Sequence, residues 1–299
     1  MKWILLLIWF FSVMFFYIRG KVRPSLSRTF FDHSVILAPI NCLFVLTSKV
    51  PKTPFISTDN IPELKLLTEN WKIFKGEALE LSEKNKIMSA NNNDDIGFNS
   101  FFKYGWKRFY LKWYDAKHPS AEILCPESVK ILKSIPNIKA AMFAKLPPGG
   151  KLNPHRDPYA GSLRYHLGLH TPNSDDCFIL VDGEKYSWRD GEAVLFDETY
   201  IHQAKNKSQK DRIILFCDIQ RPTKIKLVAY INEFFSKYIM SAASSPNQGG
   251  DQTGAINKLT NRYLILDNLR KKLKNKNRSV YRIVKFLMFF TILILIILI

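Results

Sequence analysis

The chain has 299 residues, of which 46% are hydrophobic and 13% aromatic, and a formal net charge of +18. That length and apolar content suit one soluble domain with appendages, and the charge demands an acidic partner: nucleic acid, an anionic membrane surface or an acidic substrate. Cys42, Cys125, Cys177 and Cys217 lack C-x-x-C spacing, which argues against a zinc ribbon or a disulfide framework and points to a reducing compartment.

In chain order, Trp3 to Ile18 carries no charge and is just long enough for a short membrane helix. It runs into RGKVRPS and not into a small-residue cleavage site, so it reads as an uncleaved anchor. Arg19, Lys21, Arg23 and Arg28 follow, a positive flank that places the downstream domain in the cytoplasm and lies against anionic lipid. Val35 to Leu46 is apolar, too short to span and interrupted by Pro39, so it reads as an interfacial or re-entrant segment or as a buried hairpin.

Pro62 opens a run with Leu64, Leu67, Trp71 and Phe74 at helical spacing, and Pro126 sits where a first-turn proline would start a second helix. KRFYLKWY, IKAAMFAKL, CFILV, EKYSW, AVLFD and RIILFCDI read as strands, with DG turn signals at 182–183 and 190–191. Short strands at close spacing predict a mainly β fold, a sandwich or barrel with flanking helices.

The stretch 153–170, NPHRDPYAGSLRYHLGLH, concentrates three histidines and two arginines. On a strand Leu163, Tyr165, Leu167 and Leu169 share one face, while Arg164, His166 and His170 share the other and would line a cavity. Prolines flank His155-Arg156-Asp157, favouring an extended backbone that presents His155 and Asp157 to one side. With His202 from a later strand they compose the two-His, one-carboxylate triad that binds iron(II) with open positions for oxygen and a cosubstrate. The alternative for Asp157 is a turn cap or a pair with Arg156 or Arg164; for His170, a structural role is favoured. Arg212 opens an apolar strand where a buried cation needs an anion, and the distal carboxylate of 2-oxoglutarate would serve.

Ser241 to Ala255 has the composition of an exposed linker. Eight Lys or Arg from Arg270 to Lys285 then precede the 14 uncharged residues from Phe286 to Ile299, a second anchor or an interfacial helix. The expected organisation is an anchor over 1–20, a juxtamembrane segment over 21–60, an oxygenase domain over 61–235, a linker and basic segment over 236–282 and a second anchor over 283–299. No nucleic-acid-reading motif is present, so the charge is assigned to the membrane, and no obligate protein partner is inferred.

From Met142 to Pro222 the chain resembles the aspartyl/asparaginyl β-hydroxylase family of iron(II)- and 2-oxoglutarate-dependent oxygenases, through the spacing of His155, Arg164, His166, His202 and Arg212. DHSVILAPINCLFVL, GWKRFYLKWY and the apolar ends extend this resemblance to the branch that 2-hydroxylates lipid A in the bacterial inner membrane. The resemblance implies a double-stranded β-helix (jelly-roll) core, with His155 and His202 on iron and Arg164, His166 and Arg212 on 2-oxoglutarate. It further implies O2-dependent hydroxylation at C2 of an acyl chain by a cytoplasmic domain, on lipid A or a related lipid such as an ornithine lipid. A membrane-bound peptidyl hydroxylase and a non-catalytic scaffold are the alternatives. Peptide-modifying members have glycine at the position of Asp157 and serine at that of Ala144, so Asp157 as a third ligand rests on the geometric reading. Trp106, Tyr110 and Trp113 would either line a lipid groove or form plain core.

Overall fold

The computed structural model describes residues 2–30, 32–90, 95, 97–259, 269–285 and 287. The expected second anchor lies almost wholly outside the described residues; 269–276 and 278–285 are helical.

Among the described residues ten strands form two antiparallel sheets: β1 (Phe55–Ile56), β2 (Lys107–Trp113), β3 (Ile138–Leu146), β4 (Lys151–His155), β5 (Ser162–His170), β6 (Cys177–Val181), β7 (Glu184–Ser187), β8 (Ala193–Phe196), β9 (His202–Asn206) and β10 (Arg212–Gln220). The larger sheet has the order β1-β8-β5-β10-β3-β2 and the smaller β4-β9-β6-β7. From β3 to β10 the chain winds between the sheets in the jelly-roll order, so the expected β architecture is observed. At the β6–β7 hairpin Asp182 (φ 52°) and Gly183 (φ 86°) both take positive φ, the two-residue turn that the DG signal predicts.

The alternation read from β5 sorts side chains as expected. Leu163, Tyr165, Leu167 and Leu169 join Leu215, Cys217 and the helices' Leu67, Phe74 and Leu132 in a core on the outer face of the larger sheet. On the same strand Arg164 and His166 point inward, and β10 follows suit with Arg212, Ile214 and Phe216 facing the space between the sheets.

The helix expected from Pro62 is broken into Pro62–Leu64, Lys65–Glu69 and Trp71–Glu83. Asn70 interrupts it: its amide donates to Leu66 O at 2.8 Å, a side-chain bond that competes with the backbone ladder. The intended face nevertheless stays buried at Leu64, Leu67 and Phe74.

Residues 241–255 correct the linker expectation. Asn247 accepts from Tyr110 N at 2.7 Å and donates to Tyr110 O at 2.8 Å, so one amide substitutes for a neighbouring strand at the edge of β2. Ser245 is buried and accepts from Arg108 Nη2 at 2.8 Å, while Arg108 Nε bonds Asp95 at 2.9 Å. The Ser/Asn/Gly composition that resembles a linker here satisfies buried polar groups. Tyr110 and Trp113 belong to this core, which answers their alternatives in favour of packing.

The segment Val35–Leu46 is not the buried hairpin: a 3-10 turn leads into a helix, Ala38–Leu46, with Pro39 in its first turn. Its Asn41 holds Pro158 O at 2.8 Å and Ala160 N at 2.9 Å, and Phe44 packs edge-on against Tyr159. Leu43 and Leu46 on its outer face are exposed.

The N-terminal helix, Lys2–Arg19, has a mean hydropathy of 1.7 with 11% of its span buried, and among the described residues it alone is long and apolar enough to cross a membrane. Its last residue is not part of a lipid-facing flank. Arg19 reaches into the β domain, bonding Asp197 Oδ2 at 2.5 Å and Thr199 at 2.7 Å, and Arg221 meets the same carboxylate at 3.0 Å. Asp182 adds bonds from the Lys21 and Val22 amides, 2.9 and 2.8 Å, and Lys21 pairs with Glu184. Of the four expected flank residues, only Arg23 and Arg28 are left without a carboxylate partner on the β domain.

Arg19→Met should therefore leave Asp197 partly uncompensated and lower stability by roughly 1–3 kcal/mol, less than for a fully broken buried pair because Arg221 remains. Lys21→Met, on an exposed pair, should not move the melting curve measurably. Equal melting temperatures for the two variants in detergent would mean the docking of the helix is not held by Arg19.

Candidate active site

The end of β4 and the start of β9 pair so that His155 lies directly opposite His202, with ring centroids 4.2 Å apart. Each ring is fixed by a local carbonyl. His155 Nδ1 lies 2.7 Å from Asn153 O and His202 Nδ1 lies 3.0 Å from Tyr200 O. A ring donating from Nδ1 keeps the lone pair on Nε2, the arrangement seen in metal-binding histidines. Both Nε2 atoms face Asp157 Oδ1, at 3.6 and 4.0 Å, and one ligand atom from each of the three side chains falls within 4.8 Å of the others.

Their protonation suits a cation. Burial, reinforced by His155, lowers His202 to about 3. For Asp157 burial pushes upward, but the Arg164 guanidinium, then His202 and His155, outweigh it and hold the carboxyl well below its usual range. A neutral His202 imidazole and an ionised Asp157 carboxylate need no deprotonation to bind a metal at neutral pH.

The two readings of Asp157 prove compatible, because its oxygens do different things. Oδ1 faces the histidines, while Oδ2 accepts from Arg164 Nη2 at 2.8 Å. Arg156 turns away, toward Phe16 O at 3.4 Å. Arg164 is surrounded by Asp157, Glu198 and Asp218, with Nε 2.9 Å from Asp218 and Nη2 against Glu198. Burial raises Glu198 well above the ordinary carboxyl value, the Arg164 charge notwithstanding, and raises Asp218 as well. The resemblance implies that Arg164 contacts 2-oxoglutarate; here its guanidinium is engaged by carboxylates, and it borders the cavity beside them.

Glu198, Asp218 and Tyr114, whose hydroxyl donates to Asp218 at 3.1 Å, were not anticipated. A signal existed for one: Asp218 is in phase with Arg212 on β10, so a cavity-facing acid was implied by period two.

A narrow cavity of about 20 Å³ runs between the sheets from His155 and His202 past His166 and Trp188 to Arg212. Arg212 is 2% exposed, its charged carbon lies 4.5 Å from the Trp188 ring centroid, and its Nε and Nη2 have no partner among the described residues. Burial lowers it to about 10, with only Cys177 opposing. His166 leaves both ring nitrogens unpaired, and burial keeps it well below its ordinary value. A buried guanidinium facing a cavity without a counter-charge is costly, and an anion entering between Arg212 and the histidine pair would relieve it. The donor set thus suits a divalent metal, and the orphaned Arg212 suits an anionic group.

His170, as its structural reading expected, lies away from this cavity: it pairs with Ile213 beyond a bulge that precedes Ile214. Trp106 lines the cavity, contrary to a role in core alone.

A jelly roll with two histidines and an aspartate at one mouth defines a candidate metallo-oxygenase class. The profile of the aspartyl/asparaginyl β-hydroxylases matches residues 68–222, just over half of the chain, and the protein belongs to that family. It is 39% identical over 120 residues, 40% of this chain and 43% of the relative, to the ornithine lipid ester-linked acyl 2-hydroxylase of Rhizobium tropici. It is 25% identical over 164 residues to the human aspartyl/asparaginyl beta-hydroxylase, covering 53% of this chain and 21% of that one. The chain thus spans less than half the length of both relatives. Among solved structures, a prolyl-4-hydroxylase of Pseudomonas putida aligns at 15% identity with a TM-score of 0.34, over 52% of this chain and 88% of that one.

His202 generates a pH prediction. Its folded value of about 3 lies below the ordinary 6.5, so between these limits the unfolded chain binds a proton that the folded chain does not. Stability of the metal-free protein should fall as pH drops from about 6.5 toward 3, and His202→Gln should make that slope shallower. Chemical denaturation at successive pH values checks this; identical slopes for the two proteins would contradict it.

Proposed function

We propose that this chain is an iron(II)- and 2-oxoglutarate-dependent oxygenase that hydroxylates C2 of an acyl chain of a membrane lipid. His155, Asp157 and His202 would hold the metal, and Arg212 would hold the distal carboxylate of 2-oxoglutarate through a bidentate pair. The observation that carries the reading is the unpartnered Arg212 at one end of a cavity whose other end is the His-Asp-His group. When bound, iron(II) and 2-oxoglutarate supply the oxidising power to insert one oxygen atom of O2 into a C–H bond, with succinate and carbon dioxide as the other products.

The protein's own contributions follow from the geometry. Arg164 orients Asp157 by holding Oδ2, which leaves Oδ1 for the metal. The carbonyls of Asn153 and Tyr200 fix the histidine tautomers. His166, uncharged, offers a ring N–H to the cosubstrate, and Trp106, Trp188, Phe196 and Phe216 keep water from the reacting centre.

The lipid class is supported by the Rhizobium relative and by an apolar helix locked onto the loop that carries His202. A lipid cannot leave the bilayer freely, so the site must come to it. Lipid A, from the sequence resemblance, and an ornithine lipid, from the relative's name, share this chemistry. We place the domain at the cytoplasmic face of the inner membrane, with Arg23 and Arg28 as the positive flank.

Mass spectrometry of membrane lipids from cells with and without the gene should reveal acyl chains heavier by one oxygen atom, hydroxylated at C2. Arg212→Met should raise the 2-oxoglutarate requirement by roughly tenfold or more, the equivalent of one lost charge-assisted bond, and leave iron binding intact. Unchanged 2-oxoglutarate dependence in a folded variant would move the cosubstrate elsewhere, and unaltered lipids would remove the lipid reading.

A further inference from the structure

A second cleft, about 170 Å³, opens beside the candidate metal group, between residues 22–34 and the segment Pro154–Arg156. Three guanidinium groups border it, Arg23, Arg28 and Arg156, against one carboxylate, Asp32. Asp32 is committed to local structure, since it caps the turn by accepting from Ser34 N at 2.9 Å. Arg23 caps the N-terminal helix through Gly20 O at 3.0 Å and Ile18 O at 3.2 Å. That bonding pins Arg23 at the cleft. Arg28 is exposed, and its guanidinium has no partner among the described residues. Among the described residues the one hydrogen bond of Arg156 is the long contact to Phe16 O, at 3.4 Å, with the Asp32 charge nearby; Arg156 precedes Asp157 in the chain.

A seam of about 10 Å³ continues from this cleft. It shares Thr29, Ser34 and Arg156 with the cleft, and Val13, Phe16 and Asp157 also line it. The basic cleft therefore meets the candidate metal group from one side through His155 and from the other through Asp157.

We infer that this cleft binds the anionic oxygens of the substrate lipid's headgroup, with Arg28 and Arg156 as their principal partners; the inference rests on the acyl 2-hydroxylase reading and adds how that substrate is held. The chemistry of the reaction requires something of this kind. C2 lies one bond from the acyl carbonyl and so only a few bonds from the headgroup. A site that oxidises C2 must hold the polar linkage beside the metal and leave most of the acyl chain elsewhere. A pocket specific for the tail would present carbons far from the carbonyl instead. A phosphate or carboxylate in the cleft would put the ester at His155 and the first acyl carbons at the mouth of the seam. Guanidinium groups suit either oxyanion, because their fork matches both geometries. The placement also gives Arg23 and Arg28 a role that a charge flank facing only bulk lipid would not need.

The test uses the full chain, iron-free, in neutral detergent micelles. It is titrated with a diacyl phosphatidic acid, with the diacylglycerol of the same acyl chains, and with inorganic phosphate. Phosphatidic acid should bind at least tenfold more tightly than diacylglycerol. Arg28→Gln combined with Arg156→Gln should abolish that preference, and Arg28→Lys should retain part of it. Arg28→Gln alone, at an exposed position, should weaken the preference measurably even if the Arg156 change disturbs the turn. Equal preference in the wild type and the double variant would overturn the inference. So would inorganic phosphate binding as tightly as phosphatidic acid, which would make the cleft a site for the free ion. Hydroxylated acyl product, assayed separately with iron(II) and 2-oxoglutarate, keeps the two readings apart. If the wild type makes none while the binding preference holds, the acyl hydroxylase reading fails and the cleft stands as a lipid-anion site.

Discussion

The Arg164 guanidinium, wedged among Asp157, Glu198 and Asp218, is the contact on which the rest of the site depends. It joins β5 to β10, to the turn after β4 and to the loop before β9, which are the pieces that carry Asp157, His155 and His202. Three acids around one buried base cannot all be ionised cheaply, and burial raises both Glu198 and Asp218. Asp157 is left charged, with one oxygen fixed and the other facing the histidines. Losing Arg164 would therefore be expected to disturb stability and metal geometry together, because removing one partner of such a cluster exposes buried charge.

The same logic of buried charge joins the apolar N-terminal helix to the site. Arg19 ends an apolar helix and meets Asp197, which with Thr199 belongs to the loop leading into His202. A helix on a flexible tether could serve as an anchor alone. One whose last arginine is bonded at 2.5 Å inside the domain fixes the orientation of the candidate active site relative to that helix. The apolar helix Ala38–Leu46 holds the residues after Asp157 through Asn41 and exposes Leu43 and Leu46.

Much of this was legible in the sequence, for a physical reason. Strand periodicity of two is local, so the inward placement of Arg164, His166 and Arg212 followed once the strands were assigned. Prolines around His155 and Asp157 made their shared face readable in the same way. What escaped were contacts between residues distant in sequence. Arg19 looks like a membrane flank until Asp197, 178 positions away, is seen beneath it. Ser245 and Asn247 look like linker until the edge of β2 is seen to lack a neighbour. The carboxylates around Arg164 come from three separate stretches, and only Asp218 carried a strand phase that announced it.

Iron binding by the aspartate is the most direct measure of the central claim, that Asp157 completes a three-ligand site while paired with Arg164. Anaerobic titration of iron(II) into the wild type and into Asp157→Gly, followed by the visible charge-transfer band on adding 2-oxoglutarate, reads it out. The account predicts one iron per chain in the wild type, a band that needs both additions, and at least roughly tenfold weaker iron binding with an altered band in the variant. Wild-type iron affinity in Asp157→Gly, together with a lowered melting temperature, would contradict it and leave Asp157 as a structural partner of Arg164 alone.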